Sequence, residues 1–347
     1  MKQRSRMQWL NSSSDNLKSK IGNPKWVGIF AIAVTFAFGG AVAQAQQPGK
    51  QYRLGYLAVR SGSGELDEAL KSRMRELGYV DGQNISYVHR WADGNFDRLP
   101  ALAEELVQLK VDIIVTETSA AAQAAKKASQ TIPIVMASGG DAVAVGLVAS
   151  LAHPGGNVTG MTFIGTDVAP KWVELIKEIV PKSKRLGFFA MTALTPEPIF
   201  FKVMEPEAHK LGMTIRFFDV SGPKDYNGAF NKMKQSRIDG VIVAPNTVFA
   251  ENRKQIIELA AQHRLPALYS RREQAEAGGL VSYGQNYPAM HRRAADYVDR
   301  ILKGTKPADL PVERLPKLEF IINLKAAKQI GLTIPPNVLV RAQKVIR

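Results

Sequence analysis

Beyond residue 50 the chain alternates short apolar runs with longer stretches whose apolar residues recur every three or four positions. Arg53–Val59 (RLGYLAV) reads as a strand, closed by the polar turn Arg60–Gly64. Glu65–Leu77 then places Leu66, Leu70, Met74 and Leu77 near helical spacing, with Gly78 as the stop. Asn84–Trp91 alternates as a strand. Asp97–Leu109 follows as a helix, with Pro100 in its first turn and Leu99, Leu102, Leu106 and Leu109 on one stripe. Asp112–Val115 is a short buried strand, Thr116–Ser119 a polar turn, and an Ala-rich helix runs to Ala128 before the strand Ile132–Ala137. Strands alternating with helices in this way predict a parallel sheet with helices on both faces.

The stretch Ser138–Thr162 interrupts the series. A Gly pair and Asp141 end the strand, Val143–Leu151 is a short amphipathic segment, and His153–Asn157 is a cluster of breakers. From Val158 the alternation begins again. Helices are expected at Pro170–Val180, Glu197–Leu211, Asp225–Arg237, Phe249–His263 and Tyr287–Leu302, and strands at Arg185–Ala190, Thr214–Val220, Gly240–Ala244, Pro266–Tyr269 and Leu280–Tyr283. Leu310–Asn323 reads as extended. The pattern therefore predicts two α/β lobes with parallel sheets and a ligand cleft between them.

Composition adds a leader. Residues 1–25 are basic and polar, Trp26–Val42 is uncharged and apolar, and small-x-small sites follow at Ala41–Ala43 and Ala43–Ala45. This is the order of a cleavable signal peptide spanning 1–45, with an uncleaved membrane anchor as the competing reading. The 347 residues carry a formal net charge of +15, and without the leader forty basic against thirty acidic residues leave +10. The basic residues are dispersed, which fits a solvated surface better than a nucleic-acid face, so no nucleic-acid partner is expected. There are no cysteines, which removes disulfides, thiolate metal sites and Cys nucleophiles.

No P-loop, dinucleotide-binding glycine motif, nucleophile elbow or H-E-x-x-H occurs, and the five histidines lack metal-ligand spacing. Neither a cofactor, a metal nor a catalytic residue is expected. The polar candidates sit where strands of an open parallel sheet give way to helices, the usual place for ligands. They are Ser61, Gly62 and Ser63; Thr118 and Ser119; Ser138 and Asp141; and, in the second lobe, Thr192 and Asn246. Tyr269 and Tyr283 are candidates to stack on an apolar part of the ligand. Hydroxyls, a carboxamide and free N–H groups suit a small polar or zwitterionic molecule. The same residue types are also ordinary helix caps, and Glu117 reads equally as a solvated first-turn acid.

Glu76–Asn84 (ELGYVDGQN), Arg90–Leu106 (RWADGNFDRLPALAEEL), Gly146–Gly160 (GLVASLAHPGGNVTG), Glu276–Gly284 (EAGGLVSYG), Ile301–Pro311 (ILKGTKPADLP) and Phe320–Pro336 (FIINLKAAKQIGLTIPP) resemble ABC-transporter substrate-binding proteins of the tryptophan/tyrosine-binding type. The resemblance runs from about Tyr52 to Arg347. It implies a type I periplasmic-binding fold: two Rossmann-like lobes joined by three crossovers near Asn157–Met161, Leu280–Gly284 and Leu310–Pro316. Lobe 1 would comprise 52–158 plus 284–310, and lobe 2 would comprise 159–283 plus 311–347. The implied role is that of a periplasmic, monomeric solute-binding protein, capturing a small molecule of the amino-acid or aromatic type for an ABC permease in the inner membrane with the ATPase on separate chains. A periplasmic ligand-sensing module for a membrane receptor is the alternative. Two departures bear on the ligand. The family usually has Gly-Asp-Pro where this chain has Gly140-Asp141-Ala142, and an Asn-Pro turn where it has Met191-Thr192-Ala193.

Overall fold

In this computed structural model the described residues are 50–163, 166–192 and 197–347; the expected signal peptide and Ala193 lie outside them. The apolar runs at the start of the described chain become β1 (Tyr52–Ala58), β2 (Ile85–Trp91), β3 (Ile113–Thr116), β4 (Ile134–Gly139) and β5 (Val158–Thr162). They pair in the order β2-β1-β3-β4-β5, all parallel. Successive side chains of a strand face opposite sides. Leu54, Tyr56 and Ala58 therefore pack on one side, against α1 (Glu65–Glu76) and α10 (Tyr287–Leu302). Leu57 and Val59 pack on the other, against α2 (Leu99–Gln108) and α3 (Ser119–Ala128).

The second lobe is built on β6 (Arg185–Ala190), β7 (Thr214–Asp219), β8 (Gly240–Val243), β9 (Ala267–Tyr269), β10 (Val281–Gln285), β11 (Leu318–Asn323) and β12 (Lys344–Ile346). Their order is β12-β11-β10-β9-β8-β6-β7. Its main helices are α4 (Ala169–Ile179), α5 (Glu197–Lys210), α6 (Tyr226–Gln235), α7 (Thr247–Glu251), α8 (Arg253–Gln262) and α9 (Arg272–Glu276), with α11 (Leu324–Gln329) and α12 (Pro336–Leu339) near the C-terminus. One continuous core joins Trp172, Phe188, Phe189, Phe230 and Phe249. Phe189 and Phe249 stack with centroids 4.7 Å apart.

Four expectations change. The second sheet is not wholly parallel, because β11 returns antiparallel to β10. Of the stretch Leu310–Asn323, read as extended, Leu310 has extended backbone and Glu313 bridges Met161 in parallel, but only Leu318–Asn323 forms a strand. Val143–Leu151 forms turns rather than a regular element, with Gly146 at φ +70° reversing the chain. The single helix expected over Phe249–His263 is two, α7 and α8, broken at Asn252, whose Nδ2 donates to the Val248 carbonyl (2.9 Å).

The strand pairings bear on where the crossovers fall. β5 stays paired with β4 through Thr162, four residues past the expected lobe boundary at 158. Gly160 makes this possible: it lies at φ +116°, and a Cβ there would sit 2.3 Å from the Met136 carbonyl oxygen. β10 remains in the second sheet to Gln285, two residues past the expected boundary at 283. The last passage stays on the first lobe through Glu313. Its amide donates to the Gly160 carbonyl (2.9 Å), and Arg293 of α10 grips its carboxylate from two nitrogens (2.8 and 2.7 Å).

Candidate functional site

Each sheet reverses its winding at one point, between β1 and β3 in the first lobe and between β6 and β8 in the second. Crevices outside the carboxyl ends of strands at such points are where open α/β sheets bind ligands. In the first lobe the two strand ends deliver Arg60 and Glu117, both buried. Arg60 Nε donates to Glu117 Oε1 (2.6 Å), while its two other nitrogens bond Asp67 and the Gly62 carbonyl. Its guanidinium lies 4.6 Å over the Trp91 ring. Tyr56 OH donates to the same Glu117 oxygen (2.7 Å), and the amide of Gly64 donates to Asp67 (2.6 Å). Burial opposes the charge on Arg60. The attraction of Glu117 and the bond to Asp67 outweigh it and raise the pKa above the ordinary guanidinium value. The network ties down both ends of the loop Ser61–Gly64, in which Gly62 occupies φ +74°.

His291 of α10 lies beneath this network and is completely buried. Its Nδ1 sits 2.9 Å from the Tyr287 carbonyl, which can only accept, so Nδ1 carries the proton. Nε2 is 3.9 Å from Glu117. Desolvation lowers the pKa of His291 and keeps the ring neutral.

Across the crevice, the turn after β8 carries Asn246 and the turn after β9 carries Ser270 and Arg271. Asn246 Oδ1 caps α7 by accepting from the Phe249 amide (2.9 Å). Arg271 is 8% exposed and stacks its guanidinium 3.9 Å over the ring of Tyr287, the first residue of α10. The side chain of Glu251, at the end of α7, reaches the other lobe: the Ser61 amide donates to its Oε1 (3.0 Å). Partial desolvation raises the pKa of Glu251. Phe163, Trp172, Ser270, Gln285 and Tyr287 line a small cavity of about 20 Å³ at the crossing passages behind these residues. Trp172 Nε1 donates to the Tyr283 carbonyl (2.8 Å), fixing one wall to β10. Gly284 lets β10 approach the Ser270 turn closely, since a Cβ there would lie 1.9 Å from the Ser270 oxygen.

The sequence candidates fall into three groups. Ser61, Gly62 and Ser63 lie on the pinned loop at the crevice, and Asn246 faces it from the other lobe. Thr118, Ser119, Ser138 and Asp141 are at the strand ends but serve the loops themselves. Thr118 caps α3 through the Ala121 amide (3.2 Å), Ser119 Oγ accepts from the Gly140 amide (2.7 Å), Ser138 Oγ donates to the Glu117 carbonyl (2.7 Å), and Asp141 accepts from Val143 and Ala144 (both 3.1 Å). Thr192 is exposed, and its amide donates to Asp219 (2.9 Å).

The two tyrosines are corrections. Tyr269 is completely buried in the core of the second lobe, its ring against Gly279, because it shares a strand face with Ala267. Tyr283 projects to the outer side, edge-on to Phe320 (5.9 Å), in a groove with Lys171, Leu175 and Arg341. Glu117 is likewise no solvated acid but a buried ion-pair partner. Arg60, Glu251 and Tyr287 were not candidates. Polar residues at the ends of β1, α7 and β9 were the only signal, and it does not distinguish them from ordinary turn residues. Among the described residues no group of acidic and histidine side chains could hold a metal, and no helix is long and apolar enough to cross a membrane.

Comparison with known proteins agrees with this geometry. A tyrosine-binding protein of Clostridioides difficile (strain R20291) is 28% identical over 271 residues, 77% of each chain. The structure of an ABC domain from Streptococcus pneumonia in complex with L-Trp superposes with a TM-score of 0.78 at 27% identity, covering 86% of this chain and all of that one. A conserved domain protein from Vibrio cholerae O1 biovar eltor gives 0.79 at 28% identity, covering 85% of this chain and all of that one. The family model described as ABC transporter substrate binding protein matches residues 61–346, from the pinned loop to the last strand. With two doubly wound lobes whose switch points face one crevice, the chain belongs to the ABC transporter substrate-binding protein family.

Proposed function

We propose that this chain is the periplasmic solute-binding component of an ABC importer, holding a small molecule between its lobes and presenting the closed form to a permease in the inner membrane. ATP hydrolysis would take place on other chains, and this chain would bind rather than transform its ligand. The observation that carries the reading is the family match across 61–346 together with the facing switch points, bridged by the bond from Ser61 to Glu251. The basic and then apolar leader at 1–45 supports export. The related proteins that bind tyrosine or L-Trp favour an amino acid or an aromatic compound as the ligand class. The proposed lobes are 52–162 with 286–313, and 163–285 with 314–347. The proposed contact set combines the Ser61–Ser63 loop and Asn246 with Arg271 and Tyr287.

Thermal unfolding of the refolded, ligand-stripped protein against amino acids, aromatic acids, nucleosides, sugars and small peptides tests the reading. At a ligand concentration near 100 times Kd, linkage predicts about 2.7 kcal/mol of stabilisation. A panel in which no compound raises stability or closes the lobes would sink the proposal.

A further inference from the structure

The charged donors of the two lobes are not in the same condition. In the first lobe Arg60 is fully engaged by Glu117 and Asp67, and the hydroxyls of Thr118, Ser119 and Ser138 already bond backbone groups, although Asp67 Oδ1, Thr116 Oγ1 and His291 Nε2 have no partner. In the second lobe two buried donors stand at the carboxyl ends of adjacent strands. Among the described residues, Arg271 makes no hydrogen bond through its guanidinium. Its neighbours are the Tyr287 ring at 3.9 Å and the Glu273 carboxylate at 3.6 Å, too long for a hydrogen bond. Asn246 uses its oxygen as a cap, while its Nδ2 is buried and unpartnered. β8 and β9 pair in parallel, with Val241 beside Ala267 and Ile242 beside Leu268, so the turns that follow them lie side by side.

A buried donor without a partner is costly, and a guanidinium is costlier still. Such groups persist where a ligand supplies the acceptor. The fork of a guanidinium matches the two oxygens of a carboxylate, and an amide N–H₂ alongside adds a third donor. Glu273 gives Arg271 a partial counter-charge without occupying its hydrogen-bonding edge. Tyr287 holds the guanidinium plane flat.

Building on the reading of the crevice as a ligand site, we infer that Arg271 and Asn246 are its anion anchor: the ligand carries a carboxylate, and the second lobe rather than the first receives it. Arg271 is the main determinant. Asn246 selects for an acceptor and against a donor at the same place.

The test is calorimetric titration of the full chain with matched acid and amide pairs: L-tryptophan against L-tryptophanamide, and indole-3-propionate against indole-3-propionamide, with glucose and adenosine as uncharged comparisons. Charge-assisted bonds predict that an acid binds about 10- to 100-fold more tightly than its amide. Arg271→Gln should abolish that difference, and Arg271→Lys should restore part of it by returning the charge without the fork. Asn246→Asp keeps the cap on α7 and so the fold, checked by an unchanged thermal midpoint without ligand, but sets an anion against the carboxylate and should weaken acids selectively. Equal binding of acid and amide overturns the inference. So does acid preference that survives in Arg271→Gln. Binding of glucose or adenosine with no acid bound overturns it while leaving the solute-binding reading intact. If neither these compounds nor the wider panel binds, that reading fails and the anchor with it.

Discussion

Replacing Arg60 by Met removes the only cation between two buried carboxylates. Asp67 is 0% exposed and Glu117 4% exposed. In the native protein Arg60 bonds both and closes on the Gly62 carbonyl. Without it, each carboxylate keeps only weaker donors: the Gly64 amide for Asp67 and the Tyr56 hydroxyl for Glu117. Breaking a buried pair from one side costs about 3–5 kcal/mol, and two uncompensated acids place Arg60→Met at the upper end of that range. Glu117→Gln is the gentler perturbation. Arg60 keeps Asp67, and the amide oxygen can still accept from Arg60 or Tyr56. Its cost is the change from charge-assisted to neutral bonds, about 1–2 kcal/mol. Urea unfolding at pH 7 followed by circular dichroism measures both, provided the slope with denaturant is unchanged. A loss below about 1 kcal/mol for Arg60→Met, or equal losses for the two variants, would refute the view that this network holds the crevice loop.

Three further outcomes are expected. Gly284→Ala would drive a Cβ to 1.9 Å from a backbone oxygen; neither strand can yield cheaply, so urea unfolding should show a loss of about 1–3 kcal/mol or more, and native stability would disprove the close approach. His291 has a lowered pKa through burial; the unfolded chain therefore binds its proton first, stability is fully present above about pH 6.5 and falls below it, and His291→Gln should flatten the wild-type slope between about pH 6.5 and 5. Glu251→Ala deletes the bond to the Ser61 amide; small-angle scattering of the unliganded protein should show a shift towards the open form, and affinity for any ligand found should fall by about 2- to 10-fold.

The element pattern was legible because it depends on local periodicity, and the alternation of strands and helices carries most of the fold. What the sequence hid is long-range. Arg60 and Glu117 are 57 positions apart and Ser61 and Glu251 are 190 apart. Nothing local separates a buried, ion-paired Glu117 from a solvated one. The turns were located, but Ser, Thr and Asp there were ambiguous for a physical reason. A strand–helix turn exposes backbone donors, and Ser119, Ser138 and Asp141 bond the backbone before any ligand can claim them. Tyr269 was readable in principle, since two-residue alternation puts it on the same face as Ala267. The extent of ladder pairing, which keeps β5 together to Thr162 and β10 together to Gln285, was not readable locally because it depends on the neighbouring strand.

The two halves of the crevice also divide the energetics of closing. The loop at Ser61–Gly64 is held by bonds within the first lobe, so a ligand meeting it orders little and loses little affinity to entropy. Among the described residues one exposed bond joins the lobes at that loop, from Ser61 to Glu251, while the Arg271–Tyr287 stack joins them nearer the crossings. Such a bond contributes about 0.5–1.5 kcal/mol, a bias of only about 2- to 13-fold between closed and open forms. Driving a two-state equilibrium from 1:99 to 99:1 takes about 5.5 kcal/mol. The protein's own bond falls well short of that, so a firmly closed state depends on contacts that a bound molecule makes to both lobes together. Occupancy can then be read from outside the crevice as closure, the signal that the proposed permease partner would require.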